Sequence, residues 1–156
     1  MKNGRTICRK GVGVSGPKKS AAIPFRLLPD PGSWAIPSPE ALFLVLTEQN
    51  YQTYYPAAPE GADFLQNVYL LACWGIKPNP GYKLSISQIA QHAREVIISI
   101  KFIEPEPPKF YPQVVTSPLV VSEVAKAAFS PRGLLTFIFM AEKGLELARL
   151  ETNVSP

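Results

Sequence analysis

Lys77-Pro78-Asn79-Pro80-Gly81-Tyr82-Lys83-Leu84-Ser85-Ile86-Ser87-Gln88-Ile89 is the stretch whose reading decides the fold. Its first half is turn chemistry, because two prolines fix φ and withdraw amide donors while asparagine and glycine tolerate tight backbone. Its second half alternates. Tyr82, Leu84 and Ile86 oppose Lys83, Ser85 and Ser87, which is the period of a strand with one wet face. Ile89 continues the apolar side, and Gln91-His92-Ala93-Arg94 forms the next turn. Beyond it Val96, Ile98, Ile100 and Phe102 mark one face of a second strand, close enough to make an antiparallel hairpin.

Working outward, Asn67 to Ile76 is almost continuously apolar, as a central strand covered on both faces should be. Glu104-Pro105-Glu106-Pro107-Pro108-Lys109 reads as a stiff, extended crossover. Val114-Val115-Thr116 and Leu119-Val120-Val121 are expected as one strand, with Ser117-Pro118 marking an edge or bulge. Leu134 to Met140 and Leu145 to Leu150 flank Glu142-Lys143-Gly144, a C-terminal hairpin. Toward the N-terminus, Ile23 to Leu28 is a short strand closed by Pro29-Asp30-Pro31-Gly32. Ser38-Pro39-Glu40 carries the signals of a helix start, so a helix running to about Asn50 is expected, buried along most of its surface. Six or seven strands and one helix near 39–50 define an α+β domain, mainly antiparallel β, arranged as a sandwich-like or rolled sheet.

The net charge of +4 belongs to one end of the chain. Residues 1–26 hold Lys2, Arg5, Arg9, Lys10, Lys18, Lys19 and Arg26 and no acidic group, which leaves residues 27–156 mildly acidic. A nucleic-acid binder needs its basic face on the folded body, so no nucleic-acid partner is expected. Residues 1–22, rich in Gly, Ser and Lys, are expected as a disordered basic tail, with 23–151 a single globular domain. Gly11 to Gly16 is spaced like a phosphate loop, but Pro17 stands where the lysine belongs. No run reaches the length of a membrane span, and no apolar signal region follows the charged start, so the cytoplasm is the default location. Cys8 and Cys73 have no metal or disulfide spacing, and Cys73 is expected as a buried hydrophobe.

No catalytic constellation can be assembled. His92 is the only histidine and sits in a turn without a nucleophile beside it. Glu104 and Glu106 are held by prolines in an exposed loop, whereas a catalytic carboxylate pair needs a cleft. The expectation is therefore a protein without enzymatic activity, cofactor or metal.

The central stretch resembles the C-terminal domain of the protease complex subunit PrcB family. The resemblance rests on Pro80-Gly81-Tyr82-Lys83-Leu84-Ser85-Ile86, then Val96 to Pro108, then Thr116-Ser117-Pro118, Val120-Val121-Ser122-Glu123-Val124 and Lys126, with Ala62-Asp63-Phe64 upstream. It spans roughly residues 60–127. Family members often carry a secretion signal and a paired glycine before the tyrosine, where this chain has Asn79-Pro80-Gly81; the hairpin 134–150 lies outside the usual pattern. The resemblance implies a non-catalytic module that binds a protein partner, with a protease as the partner to stabilise or regulate. Asn79-Pro80-Gly81-Tyr82 is also similar to the binding loop of chagasin-like protease inhibitors, and a small-molecule-binding domain is a further alternative. In the interaction reading, Asn79, Gly81, Tyr82, Phe110 and Tyr111 form a recognition edge; in the competing reading, Tyr82 merely closes the end of the core.

Overall fold

The computed structural model describes residues 20–107 and 109–155. Among the described residues nine strands build two facing sheets: β1 Ala21–Ala22, β2 Arg26–Leu27, β3 Leu42–Leu46, β4 Asn67–Cys73, β5 Lys83–His92, β6 Glu95–Ile103, β7 Leu119–Ala125, β8 Gly133–Ala141 and β9 Glu146–Val154. One sheet has the order β1-β5-β6-β8-β9 and the other β2-β7-β4-β3. The hairpins β5–β6 and β8–β9 fall where the sequence places them, and β4 lies inside its sheet between β3 and β7. β6 and β8 run parallel, the exception in an otherwise antiparallel pairing, because β7 intervenes in the opposite sheet.

The expected helix at 39–50 is absent. Leu42 to Leu46 is a strand paired with β4, Leu44 opposite Leu71. Alternation explains why a continuous apolar run suits it. Val45 and half-buried Phe43 enter the core between the sheets, while Leu44 and Leu46 turn outward into a second apolar cluster. The supposed cap also has another use: the Ser38 hydroxyl bonds within its own turn, donating to Glu40 O at 2.7 Å. Among the described residues only short 3-10 turns remain, at Pro31–Trp34, Tyr51–Thr53, Lys126–Ala128 and Glu142–Gly144.

β4 follows the same rule. Val68, Leu70 and Ala72 face the core between the sheets, and Tyr69, Leu71 and Cys73 face the second cluster. That cluster is roofed by residues 28–36 and 51–64, on either side of β3. Trp34 lies at its centre, 4.5 Å from the Tyr69 ring and 5.9 Å from that of Phe64. Tyr55 donates its hydroxyl to Trp34 O at 2.6 Å, and burial pushes its pKa up to about 12. The four-stranded sheet is thus covered on both faces. Full burial of Val68, Tyr69, Leu70, Leu71 and Ala72 follows, each large side chain worth about 1.5–3 kcal/mol of transfer free energy.

Two further expectations need correction. Of the strand foreseen at Ile23 to Leu28 only Arg26–Leu27, β2, is strand, since Ile23-Pro24-Phe25 is the crossing that carries the chain from β1 in one sheet to β2 in the other. Val114 and Val115 belong to no strand and stay exposed; only Thr116 is paired, in a single bridge to Lys77, because Pro112 and Pro118 bracket a segment too short for a ladder. β1 falls inside the stretch 1–22 expected as tail, while Gly11 to Pro17 and Cys8 lie outside the described residues.

Candidate functional site

The turn 77–82 and the loop that follows β6 meet at one end of the sandwich, where β4 and β6 finish and β5 and β7 begin. Lys77 and Thr116 exchange backbone bonds of 2.7 and 2.9 Å. The Thr116 hydroxyl donates to Asn79 O at 3.1 Å. Asn79 folds its side-chain oxygen back to accept from Gly81 N at 2.8 Å, so it serves as the internal brace of the turn. Gly81 is buried, and a Cβ built there would lie 2.9 Å from Tyr111 ring carbons. The absent side chain is what lets Tyr111 lie on the turn.

Tyr82 is half-buried. Its ring meets Trp74 edge-on at 5.4 Å, and Trp74 in turn meets Phe102 at 4.8 Å. Lys77 Nζ stands 4.7 Å from the Trp74 ring and 5.6 Å from that of Tyr82, placing a cation over both faces. Tyr82 is therefore held against Trp74 at this end of the sandwich. Phe110 is the opposite case, 99% exposed at the crest of the loop. Between loop and turn lies an open groove of about 470 Å³, bounded by Asn79, Pro105, Pro107, Phe110, Tyr111 and Gln113. Of the five residues expected to form the recognition edge, Asn79, Phe110 and Tyr111 line this groove, Gly81 supports Tyr111 from below, and Tyr82 stands apart with Trp74.

A second hollow, of about 400 Å³, opens at the same end on the side of the other sheet. Its lining is mainly apolar: Ile36, Pro37, Pro39, Ile76 and Leu119, with Cys73 and Ser117 contributing polarisable atoms. Cys73 is buried, with Sγ 3.3 Å from Ser117 Oγ. Its burial agrees with the reading of the sequence; its position at a hollow was not foreseen.

The remaining polar groups lie elsewhere. His92 is at the far end of β5, opposite Glu95 across the hairpin. Glu106 is exposed and pairs with Lys109 at 3.5 Å. Asp63 orders the entry to β4, its carboxylate accepting from Leu65 N and Gln66 N. Three features escaped sequence reasoning. Gln91, 3% exposed, donates to Ala93 O and Pro131 O and accepts from Ser130 N, each at 2.9 Å, which ties the β5–β6 tip to the loop before β8. Tyr69 accepts from Asp63 N at 2.9 Å and donates to Glu123 at 2.7 Å, and Glu123 also receives Arg26. Burial first, then the Glu123 carboxylate, raise the Tyr69 pKa against the lowering effect of the Asp63 N–H. The apolar hollow is the third. Among the described residues no group of three His, Cys, Asp or Glu comes together as a metal site, and no helix is long and apolar enough to cross a membrane.

These features define a two-sheet β protein with a braced turn beneath a proline-rich loop at one end. Residues 68–125 match the family model described as PrcB C-terminal. The match runs from β4 through β7 and contains both walls of the groove; it leaves β1 to β3 and the β8–β9 hairpin outside. No curated protein and no solved structure matches the chain.

Proposed function

We propose that the protein is a non-catalytic interaction module that docks on a partner protease through the groove between the 77–82 turn and the 104–113 loop. The observation that carries this is the fully exposed Phe110 ring, raised beside a groove whose floor is held by bonds within the turn. An aromatic anchor on a pre-ordered loop loses little entropy on binding and is the residue type that dominates interfaces. The match to the PrcB C-terminal model supports a protease as the partner class. A buried Gly81 under Tyr111 counts against the chagasin-like alternative, because a loop held down in this way does not project into a cleft.

The test is cross-linked affinity capture from the native host, read out for proteases, followed by a dissociation constant for the purified pair. Phe110→Ala removes an unpacked ring and should leave the melting temperature unchanged, while affinity falls about tenfold or more. Capture of the same proteases with equal affinity by both proteins, or capture of none by the wild type, overturns the reading. The apolar hollow at Cys73 favours a second reading, binding of a small apolar molecule, for which displacement of a fluorescent apolar probe by candidate ligands is the direct assay.

A further inference from the structure

The two flanks of the sandwich differ. On one, β1 and β2 are joined by Ile23-Pro24-Phe25, which carries the chain from sheet to sheet and closes the side. On the other, β3 and β9 are both edges, and among the described residues no strand pairs with the outer side of β9. Edge strands in stable proteins are guarded by shortness, charged side chains, proline, bulges or an inward-pointing charge; the outward charges in the middle of β9, Arg149 and Glu151, are of opposite sign and so can pair as well as repel. β3 is five residues long, whereas β9 is nine. Its one irregularity sits at its start, opposite Phe139 and Met140, and from Ala148 to Val154 it has neither proline nor inward charge.

We propose that this edge pairs with the β9 edge of a second copy of the chain, antiparallel, about a two-fold axis at Leu150. Residues facing one another across such a junction must lie on the same face of the sheet, since a one-residue slip would set inward side chains against outward ones. Arg149, Glu151 and Asn153 are exposed on the outer face, and Ala148, Leu150 and Thr152 are half-buried on the inner one. With the axis at Leu150, Arg149 of each copy stands opposite Glu151 of the other, and the two Leu150 side chains meet at the rim of the core that Ala148 and Leu150 already border. Moving the axis to Arg149 or Glu151 sets like charges directly opposite, which is destabilising. The Leu150 axis is the one that sets Arg149 against Glu151 in both directions, and with it the two five-stranded sheets become continuous.

The test is sedimentation velocity of the full chain over a range of concentrations. Wild type should dimerise. Arg149→Glu and Glu151→Arg should each weaken the dimer about tenfold or more, by placing like charges across the junction. Glu151 has no described partner within its own chain, so Glu151→Arg leaves the monomer intact; Arg149 does have partners, Glu146 and Glu95, and R149E needs a melting curve as control. An equimolar mixture of the two single variants restores opposite charges at both positions and should dimerise, as should the double variant R149E/E151R. A wild type that stays monomeric throughout, single variants as dimeric as wild type, or a mixture that remains monomeric overturns the proposal.

Discussion

Gly75 and Gly144 share a backbone conformation and differ in what surrounds them. Gly75 has φ of +91° and its missing Cβ would lie 2.8 Å from Pro39 O and 3.0 Å from the Glu40 carbonyl carbon. Gly144 has φ of +82° with nothing within 4 Å. Gly144→Ala should therefore cost about 1 kcal/mol of conformational strain, and Gly75→Ala about 3 kcal/mol, because rigid backbone must also give way. Denaturant unfolding of the two variants separates the contributions. Tyr55 supplies a pH signature. Its ordinary pKa of 10.0 is raised to about 12 by burial, so the folded protein holds the phenol proton more tightly than the unfolded chain. The contribution is whole below pH 10 and is lost as pH rises toward 12, at about 1.4 kcal/mol per pH unit. Tyr55→Phe should flatten that decline while lowering stability at neutral pH, because Trp34 O loses its donor. Unfolding free energies measured at pH 8 and pH 11 check both statements.

At the scale of elements, one buried amide joins pieces far apart in the chain. Gln91→Ala leaves Ser130 N and the carbonyls of Ala93 and Pro131 without their partner, at a cost of about 1–3 kcal/mol for each group that water cannot reach. Hydrogen exchange should show the β5–β6 tip and residues 130–132 opening together in this variant; independent opening would show that Gln91 does not couple them. No local pattern announces such a residue. The alternating stretch 83–89, the hairpin after it and the apolar run of β4 were legible because period and burial agree there. The stretch 39–50 was misread because a short all-apolar run fits a buried strand and a buried helix equally, and Ser38-Pro39-Glu40 tipped it toward helix. What decides is the second apolar cluster around Trp34, which lets β3 bury both faces; that cluster is assembled from residues 28–73 together with Leu119 and Val121, and no window of sequence contains it. The candidate site was legible in part. Asn79, Gly81 and Tyr111 come together through turn chemistry and aromatic packing, whereas Tyr82 and Phe110 went to opposite fates, one packed on Trp74 and one fully exposed.

For the whole molecule, closure of one flank depends on a single crossing. Ile23 is 4% exposed, lies in the core between the sheets and donates its amide to Ile89 O at 2.8 Å. Ile23→Ala should cost about 2–5 kcal/mol, as buried truncations do, and the loss should appear as exchange of both β1 and β2 amides, because the residue secures strands of both sheets. Protection confined to its wild-type level in β2 would show that the sheets are closed by other means.

The way the loop after β6 is anchored has a consequence for how such a protein diversifies. Its described fastenings are at its far end, where Tyr111 rests on Gly81 and Thr116 is bonded to Lys77 and Asn79. Residues between Ile103 and Tyr111 can change in number without disturbing the register of any strand. Doubling a loop of this kind costs only about 0.6 kcal/mol in closure entropy. New recognition sequences inserted just before Phe110 would be carried on a frame that does not have to be reinvented.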